Sequence, residues 1–280
     1  MRIFNQINDL QSVLQAERKR TRSIGFVPTM GALHEGHLAL MRSAKAENEL
    51  LVASIFVNPI QFNNSIDLEK YPRNLQDDIR LLESVACDVL FSPSVEEMYP
   101  EPVTTQYSFG SLEEVMEGAF RPGHFNGVAV VVHKLFEIVQ PDKAYFGEKD
   151  FQQLAIIREL VRQYSLPVDI VACPTIREAD GLAMSSRNQR LLPAERVIAP
   201  KIYQILKKGA SLRNVLSPKE MRIWVRTQLE KIDGCMIDYV EIADDIELQP
   251  IEHWNQSIGA RLFVALFLGQ VRLIDNIRIF

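Results

Sequence analysis

The sequence contains few cysteines, and their spacing does not suit a cysteine-based site. Its 280 residues include 3 cysteines, and no two of them form a C-x-x-C pair. An odd number of widely separated cysteines indicates neither a disulfide framework nor a zinc ribbon. We therefore expect a reducing compartment, the cytoplasm.

The sequence also lacks an excess of basic residues and a long apolar run. The 31 lysines and arginines are outnumbered by 36 aspartates and glutamates, which gives a net charge of −5. This balance argues against a broad basic surface for nucleic acid. The apolar runs at 50–57 and 262–268 are too short to span a bilayer, and residues 1–5 lead into polar sequence. We expect neither a nucleic-acid nor a membrane partner.

The common glycine-rich signatures of nucleotide sites are missing. Neither G-x-x-x-x-G-K-[ST] nor G-x-G-x-x-G occurs, and H-E-x-x-H is absent as well. The two histidines of His34-Glu35-Gly36-His37 are three residues apart with a glycine between them, which disfavours a helical zinc-protease site. A nucleotide site in this chain would therefore use other residues.

The most informative local pattern is a strand-to-helix junction near residue 30. Residues 23–27 form a short apolar run that ends at Pro28, because proline cannot donate to a sheet ladder. Helical spacing of apolar residues then predicts a helix that begins near His37. His34 and His37 would lie at its N-terminus, where N–H groups and roughly half a positive charge attract phosphate. Gly36 has no side chain to stand between the main chain and a ligand, so it permits close approach. The pattern therefore favours a phosphate site over two exposed loop histidines.

Two further junctions carry polar side chains that a ligand could use. The apolar run at 51–57 ends at Asn58, with Gln61 shortly after, and open α/β sheets bind ligands beyond the carboxyl ends of such strands. Lys149 follows a predicted strand at 143–146, where its charge could hold a phosphate. The alternatives are a simple turn at Asn58 and a solvated lysine.

Two groups of polar residues have both a ligand-binding and a structural interpretation. Ser185, Ser186 and Arg187 could bind phosphate oxygens or could form a plain linker. Asp77 and Asp78 stand in the first turn of a predicted helix. Adjacent aspartates there usually stabilise the positive end of the helix, although a magnesium role is the alternative.

Strands and helices alternate through about the first 175 residues, which is typical of a doubly wound parallel sheet in an α/β fold. The remaining residues predict amphipathic helices at 197–208 and 221–232 and three strands, a smaller C-terminal α+β domain. We therefore predict a domain at 1–175, a hinge at 176–188 and a lid domain at 189–280. The predicted strands of the first domain are 23–27, 51–57, 88–91, 143–146 and 168–173.

Four motifs together resemble those of the pantothenate synthetase, or pantoate–beta-alanine ligase, family. They are Pro-Thr-Met-Gly-Ala-Leu-His-x-Gly-His at 28–37, Asn-Pro-x-Gln-Phe at 58–62, Gly-Glu-Lys-Asp at 147–150 and Ser-Ser-Arg-Asn at 185–188. They occur in the family order. The family belongs to the nucleotidylyl transferases, so the resemblance implies a Rossmann-like fold and a homodimer.

The resemblance implies a two-step ligase whose partners are ATP, (R)-pantoate and β-alanine. ATP and pantoate would form pantoyl adenylate with release of pyrophosphate. The amine of β-alanine would then displace AMP and give pantothenate. Mg²⁺ is the implied cofactor, held mainly by the phosphate oxygens of ATP, and Asp77 and Asp78 match acidic positions associated with it.

The resemblance also assigns roles at the phosphates of ATP. His34 and His37 would stabilise charge there, with His37 as the proton donor, and Lys149 and Arg187 would contact the phosphates. The residues expected to bind ATP are Met30, Gly31, Ala32, Leu33, His34, Glu35, Gly36, His37, Gly147, Glu148, Lys149, Asp150, Ile176, Met184, Ser185, Ser186 and Arg187.

For the other substrates, the resemblance implies that Gln61 and Gln153 hold pantoate, with Gln61 also near β-alanine. Asn58 is a further candidate from its position after a strand. Met184 and Ile176 stand where the family frequently has leucine and valine. Neither difference changes the charged chemistry.

Two alternatives remain open at this point. Another adenylyl-transferring enzyme with the same nucleotide motif would use a different acid, and residues 58–62 with Gln153 would distinguish it. A non-catalytic nucleotide-binding module is disfavoured by the presence of His37, Lys149 and Arg187 in one chain. Failure to release pyrophosphate would support that module.

Overall fold

In a computed structural model of the chain, the residues described are 1–63, 68–69 and 71–280. The chain forms two units. The first comprises Met1–Phe109, Arg121–Glu148 and Ile156–Pro174, and the second comprises Gly110–Phe120, Lys149–Ala155 and Thr175–Phe280. The predicted domains are continuous in sequence, whereas the second unit includes two short segments from within the first 175 residues.

A six-stranded parallel sheet forms the centre of the first unit. The strands are β1 (Arg2–Phe4), β2 (Ile24–Thr29), β3 (Leu50–Ile55), β4 (Val89–Phe91), β5 (Lys143–Gly147) and β6 (Asp169–Cys173). Their order is β1-β4-β3-β2-β5-β6, and each neighbouring pair is parallel. The direction of strand addition reverses between β2 and β5, a point at which open α/β sheets bind ligands. The predicted doubly wound sheet is confirmed.

The strand β1 is present in addition to the five predicted strands. It lies at the edge of the sheet beside β4, where Arg2 pairs with Val89 and Phe4 with Phe91. It has 3 residues, of which two are exposed. So short a segment has too few residues for a periodic pattern, and the sequence therefore does not reveal it.

The helix that follows β2 begins slightly earlier than predicted. It starts at Glu35, with His34 as its N-cap residue. Its buried residues Leu38, Met41 and Ala44 share an apolar cluster with the strands of the sheet. Among the described residues up to 164, the helices include α1 (Ile7–Arg18), α2 (Glu35–Glu47), α3 (Leu75–Ser84), α4 (Val95–Met98), α5 (Met116–Phe120), α6 (His124–Val139) and α7 (Phe151–Tyr164).

The second unit contains an antiparallel sheet of three strands in the order β7-β8-β9. These strands are β7 (Cys235–Asp244), β8 (Ala260–Leu268) and β9 (Val271–Arg278), and the helices nearby in sequence are α8 (Pro193–Ile198), α9 (Lys201–Ser211) and α10 (Pro218–Leu229). The predicted helix at 197–208 is divided between α8 and α9 at Pro200, which lacks the N–H that a continuous helix needs. The smaller α+β architecture is confirmed. Within the described part of the chain, no helix has the length and apolar character to cross a membrane.

A buried ion cluster joins α5 to the sheet of the second unit. The guanidinium of Arg272 donates two hydrogen bonds to Glu117, each 2.8 Å, and one of 2.7 Å to Asp238. The hydroxyl of Tyr239 donates to the same Glu117 carboxylate at 3.0 Å. Burial acts to lower the pKa of Arg272, but the hydrogen bonds and charges of Glu117 and Asp238 outweigh it and raise that pKa. The cluster therefore fastens residues 110–120 within this unit.

Replacing Arg272 with methionine tests this cluster. We expect Arg272→Met to lower the free energy of unfolding by about 3–5 kcal/mol, because a buried carboxylate loses its guanidinium partner. Arg222→Met is the matched control, since the ion pair of Arg222 with Glu241 (2.7 Å) has side chains 32% and 21% exposed. Losing such a pair costs about 1 kcal/mol or less. Urea unfolding measures both variants, and equal losses would contradict the prediction.

Candidate active site

Two histidines form the N-terminal turn of α2. The Nδ1 atom of His34 accepts a hydrogen bond from the N–H of Gly36 at 3.1 Å, and the N–H of His34 donates to Nδ1 of His37 at 3.4 Å. The two ring centroids are 4.1 Å apart. Because each Nδ1 atom accepts, a neutral ring carries its proton on Nε2 and can donate from there. Two such donors at the positive end of a helix suit an anionic ligand.

The loop before α2 is held by a buried carboxylate from α3. Asp78 is 3% exposed, and its two oxygens accept the N–H groups of Ala32 (3.0 Å) and Leu33 (2.7 Å). Gly31 has φ +77°, and a Cβ atom there would lie 2.8 Å from Oδ2 of Asp78. The carboxylate of Asp78 thus lies too close to position 31 for a side chain, which explains the glycine in the motif. Burial raises the pKa of Asp78, and its backbone hydrogen bonds oppose that change.

The two aspartates associated with magnesium have different surroundings. Asp77 is exposed and forms an ion pair of 2.8 Å with Arg80. Asp78 is buried, and each of its two oxygens accepts one N–H group of the loop. Over residues 1–63, 68–69 and 71–280, no group of three or more His, Cys, Asp or Glu side chains is placed to hold a metal ion. A metal role for this pair stays a prediction.

Asn58 and Gln61 follow β3 and contact each other, and Asn58 is the more deeply buried of the two. Asn58 is 0% exposed and Gln61 is 8% exposed. The Nδ2 group of Asn58 donates to Oε1 of Gln61 and to the carbonyl of Gly127, both at 3.0 Å, and its Oδ1 atom accepts from the hydroxyl of Tyr99. The Nε2 group of Gln61 contacts the sulfur of Met30 at 3.2 Å. The buried position of Asn58 suits a supporting role rather than a direct substrate contact.

The start of α6 also supports Gln61, a contribution that the motifs do not reveal. His124 is buried, and its Nδ1 atom lies 2.9 Å from the carbonyl oxygen of Gln61. At Gly127, an added Cβ atom would lie 2.7 Å from the Cα atom of Gln61. Glycine therefore allows α6 to pack directly on the turn at Pro59–Gln61. In the sequence, Gly123 and Gly127 flank His124, and these glycines are the local pattern that marks this loop.

A cavity of about 330 Å³ opens beside the loop that precedes α2. Met30 and Gly31 line it, together with Asp78 and residues that follow β3 and β4. Its volume suits a small ligand. Met30 and Gly31 are the predicted ATP-binding residues among those that line it.

In the second unit, Lys149 lies in a 3-10 turn, Glu148–Asp150, between β5 and α7. The side chain of Lys149 is 17% exposed, and its Nζ atom is 3.8 Å from a carboxylate oxygen of Asp150. That distance is too long for a hydrogen bond. The ammonium group of Lys149 is therefore partly buried, and the carboxylate of Asp150 is too far away to hydrogen-bond with it. Such an ammonium group is suited to an anionic ligand.

The adjacent glutamines of α7 have different environments. Gln152 is buried, where it accepts from the N–H of Glu117 at 2.9 Å and donates to the carbonyls of Leu112 and Val115, each at 2.8 Å. Gln153 is half-buried, and among the described residues no hydrogen bond involves its side chain. Gln152 therefore holds the segment at 110–120, whereas a substrate contact of Gln153 stays a prediction.

A small hairpin brings several predicted ATP-binding residues together in the second unit. Its strands meet at an antiparallel bridge between residues 177 and 183. The N–H of Met184 donates to the carbonyl of Ile176 at 3.0 Å. Ser185 caps the following 3-10 helix, Ser186–Arg190, and its hydroxyl accepts from the N–H of Arg187 at 3.3 Å. The hairpin thus fixes the main chain before Ser185, and the 3-10 helix continues after it.

Comparison with known proteins gives matches along the full chain. The family model described as pantoate-beta-alanine ligase matches residues 2–278. The pantothenate synthetase of Porphyromonas gingivalis strain W83 is 52% identical over 278 residues, which cover 99% of each chain. That of Bacteroides fragilis is 51% identical over 278 residues, again 99% of each chain.

Solved structures are similar over the same length. The crystal structure of pantothenate synthetase from Thermus thermophilus has a TM-score of 0.94 and 44% identity, covering 100% of both chains. The pantoate-beta-alanine ligase of Francisella tularensis has a TM-score of 0.84 and 38% identity, covering 100% of this chain and 98% of that one. The latter was crystallised in complex with beta-gamma ATP and beta-alanine.

The neighbouring aspartates of α3 provide a matched test of the loop before α2. We expect Asp78→Ala to lower the free energy of unfolding by roughly 1–3 kcal/mol, because the N–H groups of Ala32 and Leu33 lose their acceptors. Asp77→Ala removes an exposed ion pair and is expected to cost less than about 1 kcal/mol. Hydrogen exchange should show loss of protection at these two amides in the Asp78 variant alone. Equal protection in both variants would contradict the assignment.

Proposed function

Because the chain belongs to the pantoate-beta-alanine ligase family, we propose that it joins (R)-pantoate to β-alanine at the expense of ATP. The family match from residue 2 to 278 supports this proposal. The observation that carries it is the N-terminal turn of α2, where two imidazoles present Nε2 donors at the positive end of a helix. The products are pantothenate, AMP and pyrophosphate.

The reaction proceeds in two steps through pantoyl adenylate. A carboxylate oxygen of pantoate attacks the α-phosphorus of ATP, the bond to the bridging oxygen breaks, and pyrophosphate leaves. The amine of β-alanine then attacks the activated carbonyl, AMP leaves, and the amine loses a proton. Both nucleophiles belong to substrates, so the protein contributes orientation and stabilisation of charge.

The charged groups act on the phosphates of ATP. His34 and His37 donate from Nε2 to phosphate oxygens, and His37 supplies the proton-donor role. Lys149 offers a rotatable point charge, whereas the planar guanidinium of Arg187 can bind two oxygens at once. The remaining ATP contacts come from residues 30–36, 147–150 and 176 and from residues 184–186.

Gln61 and Gln153 bind pantoate, and Gln61 also lies near β-alanine. The contacts of Gln61 support this assignment, because its Oε1 atom accepts from Asn58 and its Nε2 group faces Met30. The carboxamide is therefore oriented before a substrate arrives. Asn58 acts as a positioning residue for Gln61.

Magnesium enters with the nucleotide, as MgATP. Mg²⁺ keeps several water ligands and prefers substrate phosphates to an all-protein cage. The contacts of Asp78 support this assignment, since both of its oxygens bind the main chain of the loop. The proposal also includes a cytoplasmic homodimer. Light scattering measures the mass of this assembly in solution.

Pantoate-dependent exchange of labelled pyrophosphate into ATP tests the first half-reaction. With magnesium present and β-alanine absent, we expect exchange only when pantoate is added, because only pantoyl adenylate returns label to ATP. Exchange with a different acid would identify another adenylyl-transferring enzyme. A chain that binds ATP but releases no pyrophosphate would be a nucleotide-binding module.

Lys149→Ala tests the phosphate role of the second unit. We expect the exchange rate to fall about 100-fold or more, because one charge that stabilises the transition state is lost, while the unfolding temperature stays near that of the wild type. Lys143→Ala is the control, since Lys143 pairs on the surface with Glu47 (2.8 Å). Near-normal exchange in the Lys149 variant would remove this residue from the catalytic group.

A further inference from the structure

Asp275 and Asn276 are buried polar residues in β9. They are 6% and 4% exposed, although Val271 and Leu273 of the same strand belong to the apolar core. Burying polar groups costs free energy unless partners compensate. The partners of this pair therefore indicate its role.

Asn276 binds the main chain at Lys149. Its Nδ2 group donates to the carbonyl oxygen of Lys149 at 3.0 Å, and its Oδ1 atom accepts from Arg261 at 2.8 Å. Only this orientation of the amide satisfies both partners, because a guanidinium donates and a carbonyl accepts. Arg261 itself lies 3.9 Å from the ring centroid of Phe151, two residues beyond Lys149. The turn at Lys149 is thus held at its main chain and just after it.

Asp275 binds the hairpin that carries the other polar segment. Its carboxylate accepts two hydrogen bonds from Arg177, at 2.7 and 2.8 Å. Arg177 also donates to the carbonyls of Gly181 (3.2 Å) and Asn276 (3.3 Å), and its guanidinium lies 3.6 Å from the ring centroid of Tyr203. Arg177 is therefore fixed on several sides. Because residue 177 forms an antiparallel bridge with residue 183, the same contacts also hold the hairpin.

We propose that Asp275 and Asn276 are positioning residues that hold Lys149 and the hairpin at 176–184 in fixed register for ATP. Two consecutive residues of one strand bind both segments, so a shift of either would disturb the spacing between Lys149 and Arg187. This inference rests on the proposed function, which makes these two cations ligands of ATP. A displacement of about 1 Å can reduce a rate by about 100-fold.

The arrangement does more than fill space. An apolar pair of similar volume would commonly give equal or greater stability than a buried ion pair such as that of Asp275 with Arg177. Hydrogen bonds, unlike apolar contacts, fix distance and direction at the two segments they join. The predicted consequence is a loss of ATP binding and turnover that exceeds any loss of stability.

Asn276→Asp isolates the contact with Lys149. The variant keeps the size of the side chain and an acceptor for Arg261, but it loses the donor to the carbonyl of Lys149. We expect the dissociation constant for ATP, measured by calorimetry, to rise on the order of tenfold and pantoate-dependent exchange to fall by a similar factor or more. Leu273→Ala is the control on the same strand, since it should lower the unfolding temperature and leave ATP affinity unchanged.

A double-variant cycle separates positioning from stability. If Asn276 acts through Lys149, Asn276→Asp should weaken ATP binding much less in the Lys149→Ala background than in the wild type. A merely structural role would give the same factor in both backgrounds. Additive effects, or an ATP affinity within twofold of the wild type for Asn276→Asp, would overturn the inference.

Direct ATP binding keeps this test distinct from the test of the proposed function. If the wild type binds ATP but shows no pantoate-dependent exchange, the proposed reaction fails and the cycle on ATP affinity still decides the role of Asn276. If exchange is normal in both the wild type and the Asn276 variant, the reaction stands and the inference fails. A wild type that does not bind ATP would overturn both.

Discussion

The candidate site depends on the parallel pairing of β2 with two neighbours, β3 on one side and β5 on the other. The strand order reverses here, so the segments that leave β2 and β5 diverge at the carboxyl edge of the sheet. Residues 30–37 leave β2, and residues 147–150 leave β5. The main chain of the sheet thus fixes where two of the motifs begin.

Three buried polar side chains each hold one predicted ligand-binding segment, by the same physical means. Asp78 binds the main chain before α2, Asn58 binds the carboxamide of Gln61, and Asn276 binds the main chain at Lys149. A buried carboxylate or amide is costly unless its hydrogen bonds are made, so each of these contacts has few alternative arrangements. The predicted ligand-binding groups are therefore supported by residues that hold them in one orientation.

The sequence predicts the parts of this arrangement that are local. The alternation of strand and helix patterns predicts the parallel sheet, and the helical spacing of apolar residues predicts a helix start near His37, which the structure has at Glu35. The contacts of Asp78 with Leu33 and of Asn58 with Gly127 span 45 and 69 residues, so no local pattern contains them. The edge strand β1 is too short for a periodic signal. Long-range partners and short elements are what single-sequence periodicity cannot supply.

Electrostatics explains why positioning matters in this chain. Its net charge is −5, although the proposed substrates ATP and pantoate are anions. The overall field does not attract them, and charges farther apart than a Debye length of about 10 Å are largely screened. Under the proposed function, attraction comes from a few short-range donors at the start of α2, at Lys149 and at Arg187. Because a hydrogen bond weakens steeply as its distance and angle depart from the optimum, such donors are effective only when the main chain that carries them is fixed.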